Sequence, residues 1–353
     1  MVGRNAAIDA IRRQSRTTSL PPEETISDTG DAETEQAERY DASHYRDDIL
    51  RLLFVCCDPQ LPATQQIALA LRIVSGLSVA QIARAFLVSE AAMEQRITRA
   101  KRRIAESRVP FETPGAIERS ERLAAVASVI YLVFNEGYTS SVGEHGGRAA
   151  LCEEAIRLAR LVIGLFPSEP EMMGLAALML LQHARGAARF DADGRVVPLD
   201  GQDRGKWSRP LIAEGLALVD KAMRHRQPGP YQVQAAIAAL HARAGTAADT
   251  DWATIEQLYG ALEHMQPSPV ITLNRAVAVS KARDAAQALA MIEPLAKSLD
   301  GYFYFHGARG AFLLDLGRTD EARQAFDRAI ALANTPAEAE YIRSRLDSLQ
   351  HRP

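Results

Sequence analysis

Gly76-Leu-Ser-Val-Ala-Gln-Ile-Ala-Arg-Ala-Phe-Leu-Val-Ser89 is the stretch that decides the fold of the first part of this chain, and it leads directly into residues 90–104. Ser78 and Ser89 each stand where a helix N-cap is expected, just before a segment whose apolar residues recur every three or four positions. Only Leu87-Val88 lies between the two segments, which leaves room for a tight turn. The pattern therefore predicts a helix-turn-helix.

The second of these helices separates its apolar residues from its charge. Met93, Ile97, Ala100 and Ile104 form an apolar stripe, and residues 61–108 contain eight Lys and Arg against three Glu in a chain whose net charge is −3. We expect the cations at the end of the helix to contact DNA phosphates, and Glu94, Gln95 and Arg96 to reach base edges in the major groove. The alternative is a helix of a bundle whose arginines are merely solvated. The candidate DNA-binding residues are Ser89, Glu90, Ala91, Glu94, Gln95, Arg96, Arg99, Lys101, Arg102 and Arg103.

Composition places the chain among globular proteins. It has 353 residues, of which 47% are hydrophobic and 24% charged, enough for two or more domains. No apolar run approaches the roughly 18–20 residues that cross a bilayer, and the first residues lack the apolar core of a signal peptide. Three cysteines cannot form a disulfide framework, and the eight histidines are scattered. We expect a cytoplasmic protein with no cofactor and no metal site.

Helix breakers and charge divide the chain into five parts. Residues 1–16 contain one short helix, and residues 17–45 are an acidic, apolar-poor segment that we interpret as a mobile linker, either a plain tether or an electrostatic mask for the basic helix. Residues 46–108 have room for four helices, at about 46–57, 62–74, 78–86 and 89–107, and residues 109–116 form a second linker. Residues 117–353 show helical periodicity almost throughout and no strand period, which predicts an all-α protein.

The last part of the chain contains a repeat. Ala308, Leu313, Leu316-Gly317-Arg318, Glu321-Ala322, Ala325-Phe326 and Ala329 match the small and large positions of a tetratricopeptide helix pair. A weaker copy about 36 residues earlier carries Ala276, Ala285, Ala286 and Leu289. The repeat predicts an array of packed helices that binds peptides or docks onto a neighbouring domain.

Polar residues in the predicted helical part form a second candidate site. A ligand pocket or interdomain pocket is one interpretation, and a purely structural cluster, with Asn135 and Gly137 ending a helix, is the other. Catalysis is the least favoured interpretation, so we do not expect an enzyme. The candidate residues are Asn135, Glu136, Tyr138, Arg148, Gln202, Asp203, Arg204 and Trp207.

Blocks along most of the chain resemble one protein family. They include Asp48-Ile-Leu-Arg-Leu-Leu-Phe-Val-Cys-Cys, Gly76-Leu-Ser and Met93-Glu-Gln-Arg-Ile-Thr-Arg-Ala-Lys, then Val129-Ile-Tyr-Leu-Val-Phe-Asn-Glu-Gly-Tyr, Gln202-Asp-Arg and Leu273-Asn-Arg-Ala-Val-Ala. In these blocks the chain resembles extracytoplasmic-function sigma factors of the sigma-70 family, in the group with a long C-terminal helical-repeat extension. Asp58 stands where that family usually has His, which weakens a metal or redox role for Cys56-Cys57.

The resemblance implies a function in transcription initiation. Residues 46–108 would be sigma region 4, which sits on the flap of the polymerase β subunit and reads the promoter −35 element, and residues 117–353 would be a tetratricopeptide-like extension that regulates it, with a possible contact between the two. Residues 1–16 resemble only the last helix of region 2, so we expect either a start codon placed too far downstream or a truncated factor. The alternative is a tetratricopeptide-like protein-interaction adaptor with a vestigial helix-turn-helix.

Overall fold

A computed structural model describes residues 52, 54–58, 61–86, 88–107, 116–138, 145–333 and 335–350. The helix predicted in residues 1–16, the acidic linker 17–45 and nearly all of the linker 109–116 lie outside the described residues. Within those residues the protein is built from helices, and the one β-type pairing is an isolated bridge between Phe190 and Val196. The all-α class is confirmed.

Three helices form the helix-turn-helix region. Helix α1 spans Ala63–Ile73, α2 spans Val79–Ala85 and α3 spans Glu90–Ser107. Each helix packs against the other two. Their shared core is closed by side chains with no exposed surface, among them Leu71 of α1, Ile82 of α2 and Met93 of α3.

Local capping explains where α2 and α3 begin. The Gln81 amide donates to Ser78 Oγ at 3.1 Å and the Ser78 amide donates to Gln81 Oε1 at 2.8 Å, so the two residues form a reciprocal capping box. Ser89 Oγ accepts from the Ala92 amide at 3.3 Å. Before them, Gly76 makes the turn out of α1 with a φ of 69°, a backbone conformation that glycine adopts without steric cost.

The rest of the described chain continues as helices joined by short turns, some of them 3-10. Pro170, Pro230 and Pro269 each occupy the first helical position, where the missing amide hydrogen costs nothing. The bounds are α4 Ala116–Tyr138, α5 His145–Leu165, α6 Pro170–His183, α7 Arg209–Arg224, α8 Pro230–Arg243, α9 Trp252–Met265, α10 Pro269–Ala282, α11 Ala285–Ile292, α12 Phe303–Asp315, α13 Thr319–Leu332 and α14 Pro336–Gln350.

Packing in this helical extension, α4 to α14, follows chain order. The main contacts join each helix to the next one along the chain, together with the pairs α4 and α6, α6 and α8, and α10 and α12. One apolar cluster holds α6, α7 and α8 around Leu181 and Trp207, and another holds α10 to α14 around Phe312 and Phe326. Packing between near neighbours is the pattern of a helical repeat array.

The predicted repeat coincides with helices α12 and α13. Gly310 of α12 meets the ring of Phe326 of α13, and a Cβ added at Gly310 would lie 2.5 Å from Phe326 Cε1. In the earlier copy, Ala286 is exposed whereas Ala288 and Leu289 are buried. The buried residues Ala288 and Leu289 therefore correspond to Ala325 and Phe326, and the two copies are separated by one residue more than the roughly 36 of the sequence pattern.

The helix end predicted at Asn135 and Gly137 lies close to the observed one. Helix α4 ends at Tyr138, one residue after Gly137. Gly137 is buried inside the helix, and the glycines that adopt positive φ among the described residues are Gly76, Gly194 and Gly317. Gly137 is therefore a helical residue and does not end α4 in a left-handed conformation.

The helix-turn-helix region and the extension touch. Helix α1 packs on α4, and α2 packs on α5. The Arg122 guanidinium of α4 lies 6.0 Å from the ring centroid of Phe54, which precedes α1. Helix α3 has its main contacts with α1 and α2, so its outer face is not the surface that meets the extension.

Candidate nucleic-acid interface

Helix α3 owes its orientation to a narrow buried stripe. Met93 and Ala100 have no exposed surface and Ile97 is 5% exposed, so these residues anchor the helix on α1 and α2. The predicted stripe is therefore observed, with Ile104 half-buried at its end. Because side chains three or four positions apart share a helix face, the stripe fixes which residues point away from the core.

The face opposite the stripe is exposed along the whole helix. Ala91, Gln95, Thr98 and Arg102 follow one another at spacings of three and four residues, and all four are exposed. Thr98 is absent from the sequence-predicted candidates although it lies between Gln95 and Arg102 on this face. Thr98 was missed because it carries no charge. Its spacing of three residues from Gln95 and four from Arg102 would have placed it on the exposed face.

The cations occupy the second half of α3. Lys101 and Arg103 are exposed and have no ion-pair partner among the described residues; two positions apart, they project from opposite flanks of the helix at about 100° per residue. Arg102 lies 3.8 Å from Glu106, with both side chains about 70% exposed, and Arg99 Nε donates to the Gln95 carbonyl at 3.3 Å. Exposed pairs of this kind are weak, so the arginines can exchange partners for phosphate oxygens.

The other predicted residues lie in the first half of α3. Glu90 and Glu94 are exposed, as is the N-cap residue Ser89. Arg96 is half-buried, because it stands next to Ile97 at the edge of the stripe. Of the three residues expected to read bases, Glu94 and Gln95 are thus exposed, whereas Arg96 lies beside the buried stripe.

Cys56 and Cys57 are buried free thiols. Cys56 has no exposed surface and Cys57 is 3% exposed. Burial raises the pKa of the Cys56 thiol to about 12, and the same cause raises that of Cys57, so both stay protonated. Among the described residues, no group of three or more His, Cys, Asp and Glu side chains is placed to hold a metal ion. The helices of the same residues include none whose length and apolar character would let it span a bilayer.

The second candidate cluster is divided by the fold. Tyr138, at the end of α4, accepts a hydrogen bond on its hydroxyl from Arg185 at 2.7 Å, and the guanidinium of Arg189 stacks 3.8 Å from its ring centroid. Asn135 hydrogen-bonds Tyr131 one turn back, and Glu136 is half-buried on the same helix. The Arg148 side chain lies outside the described residues.

The downstream members of that cluster have structural partners. Arg204 donates to the carbonyls of His241 and Ala244, at 2.6 and 2.7 Å, where α8 ends, and so holds the 3-10 segment Arg204–Lys206 against that helix. Asp203 caps this segment by accepting from the Gly205 amide at 2.9 Å. Trp207 is 3% exposed.

The Gln202 side chain donates to the Val197 carbonyl at 3.0 Å. The cavity that Tyr138 lines does not include Arg204, which lines a different one. Sequence reasoning did not identify Arg185, Arg189 and His241, which lie among these residues and carry no local motif.

Two family models match the chain, one in the helix-turn-helix region and one in the helical extension. Residues 52–104 match Sigma-70, region 4, and residues 122–223 match a family of unknown function (DUF6596). The first match covers α1, α2 and nearly all of α3. The helix-turn-helix is therefore a sigma-70 region 4 domain, and the chain has a sigma-factor-like DNA-binding role in transcription.

A curated relative extends the comparison to the whole chain. It is an uncharacterized protein, R00370, from Rhizobium meliloti (strain 1021), 68% identical over 352 residues, which are 100% of this chain and 83% of the relative. The chain belongs to the same family as this rhizobial protein.

Proposed function

We propose that the protein is a sigma factor of the extracytoplasmic-function group whose α3 reads the promoter −35 element. The exposed face of α3 carries this proposal, because it combines uncharged and polar residues in its first half with cations in its second half. In a groove-bound helix, Ala91, Gln95 and Thr98 would approach base edges while Lys101 and Arg103 would contact phosphates on either side. The match to region 4 supports it.

Polymerase is the second expected partner. In this proposal the region 4 domain docks on the flap of the β subunit of core RNA polymerase while α3 enters the groove. The extension, α4 to α14, is tetratricopeptide-like and regulates initiation from within the same chain. Its packing between near neighbours and its contacts with α1 and α2 support this part of the proposal.

Transcription in vitro tests the proposal. The chain is added to core RNA polymerase with a library of promoter fragments, and transcripts are sequenced to find their start sites. We expect initiation at a subset of fragments that share one −35 sequence. Substitution of Gln95 by Ala should relax the preference at one or two positions of that element. Equal initiation at all fragments would contradict the assignment of α3 as the reader.

A second candidate function, protein-interaction adaptor, has one observation in its favour. A cavity of about 930 Å³ in the extension is lined by Tyr138, Tyr302, Tyr304 and Tyr341, side chains that are common at protein interfaces. An adaptor of this kind would bind its partner without core polymerase. The adaptor function would be favoured if the chain initiated transcription at none of the fragments and if the extension alone captured a partner protein stably.

A further inference from the structure

Another cavity of the extension lies between α4, α6, α8, α9 and α10. Its volume is about 420 Å³, within the range of small-molecule sites. Most of its wall is apolar, with Leu181 and Ile237 as examples. A few polar side chains interrupt that wall, and the most informative are Arg185, Trp207 and His241. An apolar cavity with a few convergent polar groups is the usual form of a ligand site.

The charge of this cavity is positive. Arg185 is the cation of its wall, and no Asp or Glu is among the described residues that line it. Burial, with Arg185 and Arg204 nearby, lowers the pKa of His241 to about 4, so this imidazole is neutral at neutral pH. The Arg185 side chain donates a hydrogen bond to the Tyr138 hydroxyl and has no ion-pair partner among the described residues. A single cation on a wall with no acidic residue favours an anion.

Two wall residues carry nitrogen atoms without a hydrogen-bond partner. Trp207 is 97% buried, given its 3% exposure, and its Nε1 has no acceptor. His241 Nδ1 is buried and likewise unpaired, although the ring stacks edge-on against Trp252 at 5.2 Å. Buried polar atoms in native proteins nearly always have a partner, and an unpaired one is costly. A ligand with hydrogen-bonding oxygens would supply the missing partners.

We propose that this cavity binds a small organic monoanion, a carboxylate on an apolar and preferably aromatic body. The carboxylate pairs with Arg185 and accepts from Trp207 Nε1, and the body packs against Leu181 and Ile237. A guanidinium binds a carboxylate well because its planar donors match the two oxygens. The proposal does not depend on the role of α3 in transcription, since binding is measured on the protein without DNA.

Isothermal titration calorimetry on the full chain tests this site. The probes are benzoate, phenylacetate and hexanoate, each compared with its neutral amide of nearly equal size. At least one acid should bind, and its amide should bind roughly ten- to a hundredfold more weakly, the range expected for losing one charged hydrogen-bond partner. Arg185→Gln should abolish the preference for the acid, and Trp207→Phe, which keeps an aromatic ring but removes the donor, should weaken the acid severalfold.

Two variants separate the charge from other effects. Tyr138→Phe removes the hydroxyl that Arg185 contacts but keeps the charge, so the preference for the acid should remain. Arg209→Gln removes an exposed arginine of α7 and should leave binding unchanged. The proposal fails if no acid binds, if acid and amide bind equally, or if Arg185→Gln keeps the preference in a folded protein. It also fails if only a peptide with a free C-terminal Phe binds, because the site would then be a peptide groove.

Discussion

Removing one exposed cation from α3 should lower the salt dependence of DNA binding by a defined amount. Lys101→Gln and Arg103→Gln are the informative changes, because both side chains are exposed and neither has an ion-pair partner among the described residues. Neither residue belongs to the buried stripe that holds α3 on α1 and α2. Each change should therefore remove a phosphate contact and leave the fold intact.

The magnitude follows from counterion release. If Arg99, Lys101, Arg102 and Arg103 each neutralise one phosphate, the logarithm of the affinity should fall with the logarithm of the salt concentration with a slope of about −3.6. Between 50 and 200 mM salt that slope corresponds to a loss of about 150-fold in affinity. A single variant should show a slope of about −2.7 and lose about 40-fold over the same range.

Fluorescence anisotropy with a labelled duplex measures these slopes. Circular dichroism verifies the fold, and Arg209→Gln, an exposed arginine of the extension, serves as the matched control that should keep the wild-type slope. The two α3 variants should also weaken binding to unrelated duplexes about equally, because phosphate contacts carry no sequence information. Slopes equal to the wild-type value for both Lys101→Gln and Arg103→Gln would refute the placement of α3 on the DNA.

Three further outcomes concern stability. Burial and two nearby arginines lower the pKa of His241 from 6.5 to about 4. As the pH falls from 7 to 5, only the unfolded chain therefore takes up this proton, and the free energy of unfolding should fall by about 2 kcal/mol. His241→Gln should remove that pH-dependent loss in urea titrations. Gly310→Ala, whose Cβ would meet the Phe326 ring at 2.5 Å, should cost about 1–3 kcal/mol in the same assay, whereas Gly301→Ala, with no atom near its Cβ, should be close to neutral. Ser78→Ala should lower the free energy of unfolding by about 1 kcal/mol, because it removes the capping box. An unchanged thermal melting temperature would contradict this expectation.

The helix-turn-helix could be predicted closely from sequence because its determinants are local. Ser78 and Ser89 cap the helices they were expected to cap, and the three-to-four-residue period of the apolar residues gives the buried stripe of α3. The assignment of base-reading residues was less certain, because long polar side chains were chosen by type. Position on the helix favours Gln95 and Thr98, whereas Arg96 stands beside the stripe.

The sites within the extension could not be predicted in the same way. Arg185 and His241 come from separate segments of the chain, and the cavity they line exists only after five helices pack. Sequence reasoning grouped Tyr138 with Arg204 because both are polar residues among apolar ones. In the fold, Arg204 instead holds backbone carbonyls at the end of α8, a role that no local pattern announces.

Helix α4 connects the proposed ligand cavity with the DNA-reading domain. Its Tyr131 lines the cavity, while its Arg122, more than two turns earlier, lies over Phe54, and α4 as a whole packs on α1. Helix α4 thus both lines that cavity and has main contacts with the region 4 domain. A ligand changes DNA affinity only if it binds one arrangement of these elements better than another. Any such difference would reach α3 through α1 and α2, the helices on which it rests, so the ligand would shift the affinity for all promoters together and leave the sequence preference of α3 unchanged.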